Sequence, residues 1–256
     1  MPSKKRSIQS FFRKHAGDYA KSASHASGSD LAALLEALEP RSSDIALDVA
    51  TGTGFTAIAL ASRVKLVTGI DVTEKMLEQS RQLARSQSVF NATFKLGDAM
   101  KMDFSEESFD LVTTRRAAHH FDSVPRFLRE AKRVLKAGGR IGIVDMSPPE
   151  GAESFTNTIE KLRDGSHVKA FTPAAWASMV MKAGFSKPTI RTLDERLTFE
   201  KWLYPVGLGG MEEETIRSAW KTAPKSVRNL LEAEFYGDTI RSWVKSRLVL
   251  TASKTP

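Results

Sequence analysis

Residues Leu47–Leu60 read LDVATGTGFTAIAL. An apolar run ends in an acid at Asp48, the chain crosses Ala50, Thr51, Gly52 and Gly54, and a run of small and apolar residues begins at Phe55. That is a strand, a glycine-bearing turn and a helix, the opening unit of an α/β sheet. The same rhythm continues on both sides. Upstream, SDLAALLEAL sets Leu31, Leu34, Leu35 and Leu38 on one helical face before Pro40. Downstream, KLVTGID is a strand, and TEKMLEQSRQLARSQS is a helix capped at Thr73 with Met76, Leu77, Leu83 and Ala84 inward. NATFKLG and FDLVTT supply two further strands. DSVPRFLREAKRVLKAGG reads as a helix stopping at Gly138-Gly139, and RIGIVDM as a fifth strand. Alternation of this kind predicts a parallel sheet with helices on both faces.

In such sheets ligands lie beyond the carboxyl ends of the strands. Those ends carry Asp48, Asp71 and Asp98, then Arg115, Arg116, His119 and His120. The turn also satisfies a dinucleotide fingerprint with Asp71 as the ribose acid. Charge separates the two readings. A pyrophosphate at the helix start is repelled by a carboxylate just upstream, whereas the ammonium and sulfonium of S-adenosylmethionine are attracted by it. Asp48 therefore favours S-adenosylmethionine over NAD. Asp71 then accepts from the ribose hydroxyls, Val72 and Met76 pack on the adenine, and Asp98 accepts its amino group beside the backbone of Ala99 and Met100.

LDVATGTG, GIDVTEKML, GDAMKMDFSEESFDLV, AAHHF and REAKRVLKAGGRIGIVD, spanning 47–145, resemble the UbiE-like (type 11) class I S-adenosylmethionine-dependent methyltransferases. The resemblance implies a Rossmann-like α/β fold: a seven-stranded, mostly parallel sheet in the order 3-2-1-4-5-7-6, with KSRLVLTASK as the antiparallel seventh strand. It further implies one domain over 1–256. Residues 1–40 are N-terminal lid helices with Tyr19 closing over the cofactor, 41–145 the cofactor-binding half, and 146–256 the substrate half. A helical insertion at about 198–240 precedes the last strand and departs from the quinone-biosynthesis members. KLRDGSHVKAFTPAAW resembles a bacterial subgroup, which implies Arg163 and His167 as substrate contacts.

Methyl transfer is an in-line displacement, and an acceptor bearing a proton needs a base. His119 and His120 are the candidates; family analogy places His120 near the cofactor and His119 toward substrate. Arg115 suits the cofactor carboxylate and Arg116 an anionic acceptor. The histidines and acids show no metal-ligand spacing, so no metal is expected. The absence of cysteine excludes a thiol nucleophile and fits a reducing, cytoplasmic setting. No apolar run approaches a membrane span.

The net charge of +8, with Lys4, Lys5, Arg6, Arg13 and Lys14 clustered at the start, leaves open a non-catalytic cofactor-binding sensor or scaffold touching nucleic acid through that arm. A solvated terminus is the preferred reading, and nucleic acid is disfavoured as a partner. A small-molecule acceptor is expected, and the oligomeric state is left open. TTRR after the fourth strand lacks the N/D-P-P-Y/F motif of adenine N6 enzymes.

Overall fold

The computed structural model describes Arg13, residues 28–204 and residues 209–255. In chain order the elements are α1 (Ser29–Leu38), β1 (Ile45–Val49), α2 (Phe55–Ala61), β2 (Leu66–Asp71), α3 (Glu74–Ser86), β3 (Ala92–Leu96) and β4 (Phe109–Arg115). A 3-10 turn at Ala118–His120 leads to α4 (Val124–Val134), β5 (Leu135–Met146), α5 (Glu153–Arg163), α6 (Pro173–Lys182) and β6 (Thr189–Thr198). Then come α7 (Phe199–Leu203), α8 (Met211–Thr222), α9 (Lys225–Leu230), β7 (Glu234–Tyr236) and β8 (Thr239–Ser253).

The sheet runs β3-β2-β1-β4-β5-β8-β6, with β7 added beside β8. Strands β1 to β5 are parallel, and β8 is antiparallel to both β5 and β6. The Rossmann-like order implied by the sequence is therefore present, with β8 as the antiparallel strand. Strand order reverses between β1 and β4, which opens a crevice above their carboxyl ends.

Alternation along β1 assigns its two faces. Leu47 and Val49 join one core with Phe127 and Leu128 of α4 and Trp176 and Val180 of α6. Ala46 joins the other, with Leu34 and Leu38 of α1, Ala57 and Leu60 of α2, and Leu77 of α3. In a third cluster Trp202 of α7, Trp220 of α8 and Trp243 of β8 pack with Phe199, Ile159 and Ile216. Each such buried apolar side chain contributes on the order of 1.5–3 kcal/mol.

Three expectations are corrected. The helix expected to reach Gly138 ends at Val134, because the Glu107 and Ser108 N–H groups take the carbonyls of Arg133 and Val134 and Leu135 turns extended. Residues 198–240 are helical only to Leu230: Gly237, at φ +58°, turns EFYGDTI into the β7–β8 hairpin. That hairpin makes the sheet eight-stranded rather than seven-stranded. Tyr19 and most of the expected 1–40 lid lie outside the described residues.

Candidate active site

The crevice holds a cavity of about 380 Å³. Its floor is the turn after β1, which needs backbone conformations that side chains rarely take: φ is +55° at Ala50, +56° at Gly52 and +89° at Gly54. At Gly54 a Cβ would lie 2.8 Å from Ser80 Cβ and 3.2 Å from Phe94, so glycine is required for α2 to pack on α3 and β3. Gly54 is thus a packing residue of the turn, while Ala50, Thr51 and Gly52 line the cavity with Thr53, Phe55 and Thr56.

Three of the turn's donors are engaged within the protein. Thr51 N–H donates to Ile70 O at 2.9 Å, Gly52 N–H to Asp71 Oδ2 at 3.0 Å, and Gly54 N–H to Thr51 O at 2.9 Å. Asp71 also accepts from Thr73 N–H at 2.9 Å through Oδ1. Burial raises Asp71 above the usual carboxylate range, against those hydrogen bonds. Each of its oxygens keeps a further lone pair, and Asp71 lines the cavity with Val72 and Met76. Asp98, Ala99 and Met100 form the next wall, the Asp98 carboxylate accepting from Met100 N–H at 2.9 Å.

Asp48 lies beneath the turn rather than on the wall. It is 1% exposed, and its two oxygens accept from Thr51 Oγ1 at 2.6 Å and Thr113 Oγ1 at 2.8 Å. Burial raises it to about 6, so the group is mostly ionised at neutral pH. It is not among the residues that line the cavity.

Arg115 and Arg116 both line the cavity, and both clasp Asp30 at the start of α1. Arg115 donates through Nε and Nη2 at 3.2 and 2.8 Å, and Arg116 at 2.7 and 2.9 Å. Burial alone would raise Asp30, but the two guanidinium groups outweigh it and hold the carboxyl far below its ordinary value. Burial lowers Arg116 to about 10. Nothing local in the sequence pairs Asp30 with these arginines, 85 and 86 positions away.

The two candidate bases separate. His120 lines the cavity, with Phe121 and Asp122 beyond it. His119 is bound to Asp145, its N–H at 2.8 Å from Oδ2 and its Nδ1 at 2.5 Å from Oδ1. Burial would raise Asp145, but His119 and the N–H groups of Met146 and His119 hold it below the usual range. Asp145 is the penultimate residue of β5, as Asp48 is of β1, so the strand-end position could have singled it out although it was not selected.

Two expected substrate contacts lie elsewhere. Arg163 packs over Trp202, donates to its carbonyl at 3.0 Å, and pairs with Glu160 at 2.9 Å; Glu160 also binds Lys245 at 2.6 Å. This buried cluster ties α5 and α7 to β8. His167 is 1% exposed, with Nε2 2.8 Å from Asn157 Oδ1. Neither residue lines the cavity. Among the described residues no group of acids and histidines is arranged to hold a metal, and no helix is long and apolar enough to cross a membrane.

Residues 47–143 match the family model for a methyltransferase domain. The chain is 33% identical over 207 residues to the uncharacterized methyltransferase YcgJ of Bacillus subtilis, covering 80% of this chain and 82% of that protein. It is 36% identical over 138 residues to the demethylmenaquinone methyltransferase of Lactobacillus johnsonii, covering 52% and 54%. The crystal structure of B. subtilis YcgJ superposes with a TM-score of 0.85 at 28% identity, over 89% of this chain and 98% of that one. A protein of Bacillus halodurans C-125 does so at 0.85 and 32%, over 90% and 100%.

Proposed function

Since the chain belongs to the methyltransferase-domain family, we propose that it transfers a methyl group from S-adenosylmethionine to a small-molecule acceptor, with its strand-end acids holding the cofactor. The observation that carries this reading is where the turn spends its hydrogen bonds. The N–H groups of Thr51, Gly52 and Gly54 donate inside the protein, so none of the three is available to a pyrophosphate. A dinucleotide needs such donors at the helix start. The acids Asp71 and Asp98 on the wall instead suit a ligand whose polar groups include hydroxyls and an amine.

Bound there, S-adenosylmethionine supplies an electrophilic methyl on positively charged sulfur. Asp71 accepts from the ribose hydroxyls, and Asp98 from the adenine amino group. Val72, Met76, Ala99 and Met100 contribute the apolar faces. Asp48, ionised below the turn, provides negative potential toward the cationic end. Arg115, fixed by Asp30, offers guanidinium to a carboxylate, and Arg116 offers the same to an anionic acceptor.

Proton removal from an O-, N- or acidic C-nucleophile is assigned to His119, which does not itself line the cavity but stacks behind His120 with ring centroids 4.1 Å apart. Its Nδ1–H donates to Asp145, which leaves Nε2 as the proton-accepting nitrogen and stabilises the imidazolium that forms. His120 forms the adjoining wall. The matched relative that acts on demethylmenaquinone supports a small organic acceptor as the substrate class.

Calorimetric titration with S-adenosylmethionine, S-adenosylhomocysteine and NAD in parallel tests the proposal. Micromolar binding of the first two and none of NAD is expected. Binding of NAD alone would overturn it.

A further inference from the structure

The segment between α5 and α6 grips both histidines. The N–H groups of Val168 and Lys169 donate to the His119 carbonyl at 2.8 and 3.0 Å. Ser166 Oγ lies 3.1 Å from His120 Nδ1 and 2.6 Å from Asp164 Oδ1, and Ser166 N–H donates to the same carboxylate oxygen at 2.8 Å. Asp164 and Ser166 are 3% and 5% exposed.

One proton decides the direction of this chain. A serine hydroxyl has a single O–H, and a carboxylate oxygen only accepts. The 2.6 Å contact is a charge-assisted bond in which Ser166 donates to Asp164. Toward His120 the hydroxyl can then only accept, so His120 Nδ1 carries the proton and Nε2 is its accepting nitrogen. Nε2 lies 4.0 Å from Asp164 Oδ2, too far for a hydrogen bond.

We propose that Ser166 and Asp164 are positioning residues that hold His120 in its Nδ1–H form at the cavity wall. They back His120 through a hydroxyl as Asp145 backs His119 directly. The inference rests on the reading of this cavity as the transfer site, which gives the tautomer its purpose. A neutral imidazole adds no positive charge beside a sulfonium, and burial together with His119 keeps His120 well below its ordinary value. The RDGSHV segment thus acts through His120, while Arg163 and His167 anchor the segment.

The test is the tautomer, read from the imidazole nitrogen shifts of full-length protein carrying ¹⁵N-histidine, with His120 assigned by its loss in His120→Gln. Wild type is expected to show Nδ1 protonated and Nε2 unprotonated. Ser166→Ala is expected to lose that single-tautomer pattern, and Ser166→Thr, which keeps the hydroxyl, to retain it. A purely structural serine would lower the melting temperature without moving the nitrogen shifts. An Nε2–H signature in wild type overturns the proposal without any variant, and so does an unchanged Nδ1–H signature in folded Ser166→Ala. Titration of the same samples with S-adenosylhomocysteine separates the two readings. The expected tautomer without nucleoside binding refutes the cofactor assignment and leaves the positioning role standing.

Discussion

Replacing Asp71 by asparagine removes one charged acceptor while keeping shape. Both carboxylate oxygens already take a backbone N–H, from Gly52 and Thr73. The introduced amide cannot serve both: its NH₂ must face one of those donors or the ribose. A hydrogen bond to a charged group is worth about 1.5–3 kcal/mol, so cofactor affinity should fall about 12- to 140-fold. The loss should be equal for S-adenosylmethionine and S-adenosylhomocysteine, because the ribose is common to both. Calorimetric titration at fixed pH, paired with a thermal melt, reads the two effects separately. If affinity stays within threefold in a folded variant, Asp71 only ties the turn to β2, and the ribose is held by other groups. A loss seen for the sulfonium compound alone would instead place Asp71 at the charged end of the ligand.

Two further perturbations probe the buried charges. Asp30→Asn leaves Arg115 and Arg116 without their shared counter-ion at sites 4% and 12% exposed. This should cost about 3–5 kcal/mol, or roughly 6–20 °C in melting temperature. Because the folded carboxyl is held below its unfolded value of about 3.9, the wild-type advantage should be complete above that pH and decline on acidification below it. A melt within 2 °C of wild type at pH 7, on the scale of about 2–4 °C per kcal/mol, would refute the reasoning. Asp48 has the opposite sign: its folded pKa is raised, so at pH 7 the ionised group opposes folding by up to about 3 kcal/mol. Asp48→Asn should therefore stabilise the ligand-free protein at pH 7, with the gain shrinking as pH falls through about 6, while S-adenosylmethionine affinity drops; urea unfolding at pH 5 and 7 that shows no such difference would remove the field argument.

The stretch from Ile45 to Met146 was legible because its signals are local: apolar runs, glycines with positive φ, and acids at strand ends. β6 was not, because TIRTLDERLT is an edge strand with no residue fully buried, and it reads as polar chain. The β7–β8 hairpin was missed because Gly237-Asp238 sits after two short helices whose periodicity carried past it. Within the site, the residue types were readable and their pairings were not. Arg115 meets Asp30 across 85 positions, His120 meets Ser166 across 46, and His119 meets Asp145 across 26. Spacing along one strand or helix carries no information about such contacts, which the sheet order alone creates.

The glycine turn shows how one fold can serve two ligand chemistries. A pyrophosphate-binding turn points its N–H groups outward at the helix start. Here Asp71 folds back from β2 to take the Gly52 N–H, and Ile70 takes that of Thr51, so these two donors face inward. The carboxylate of Asp48 then sits below, hydrogen-bonded by two threonine hydroxyls. The Arg115 charge offsets it only in part, because that guanidinium is clasped by Asp30. On the proposed reading, Asp48 favours a positive charge above the turn. Dinucleotide affinity would require releasing those donors and discharging Asp48 together, and a single substitution at Asp71 or Asp48 accomplishes only one of the two. On the proposed reading, selectivity for a cationic nucleoside rests on the combination, and neither Asp71 nor Asp48 substituted alone should convert the site to NAD.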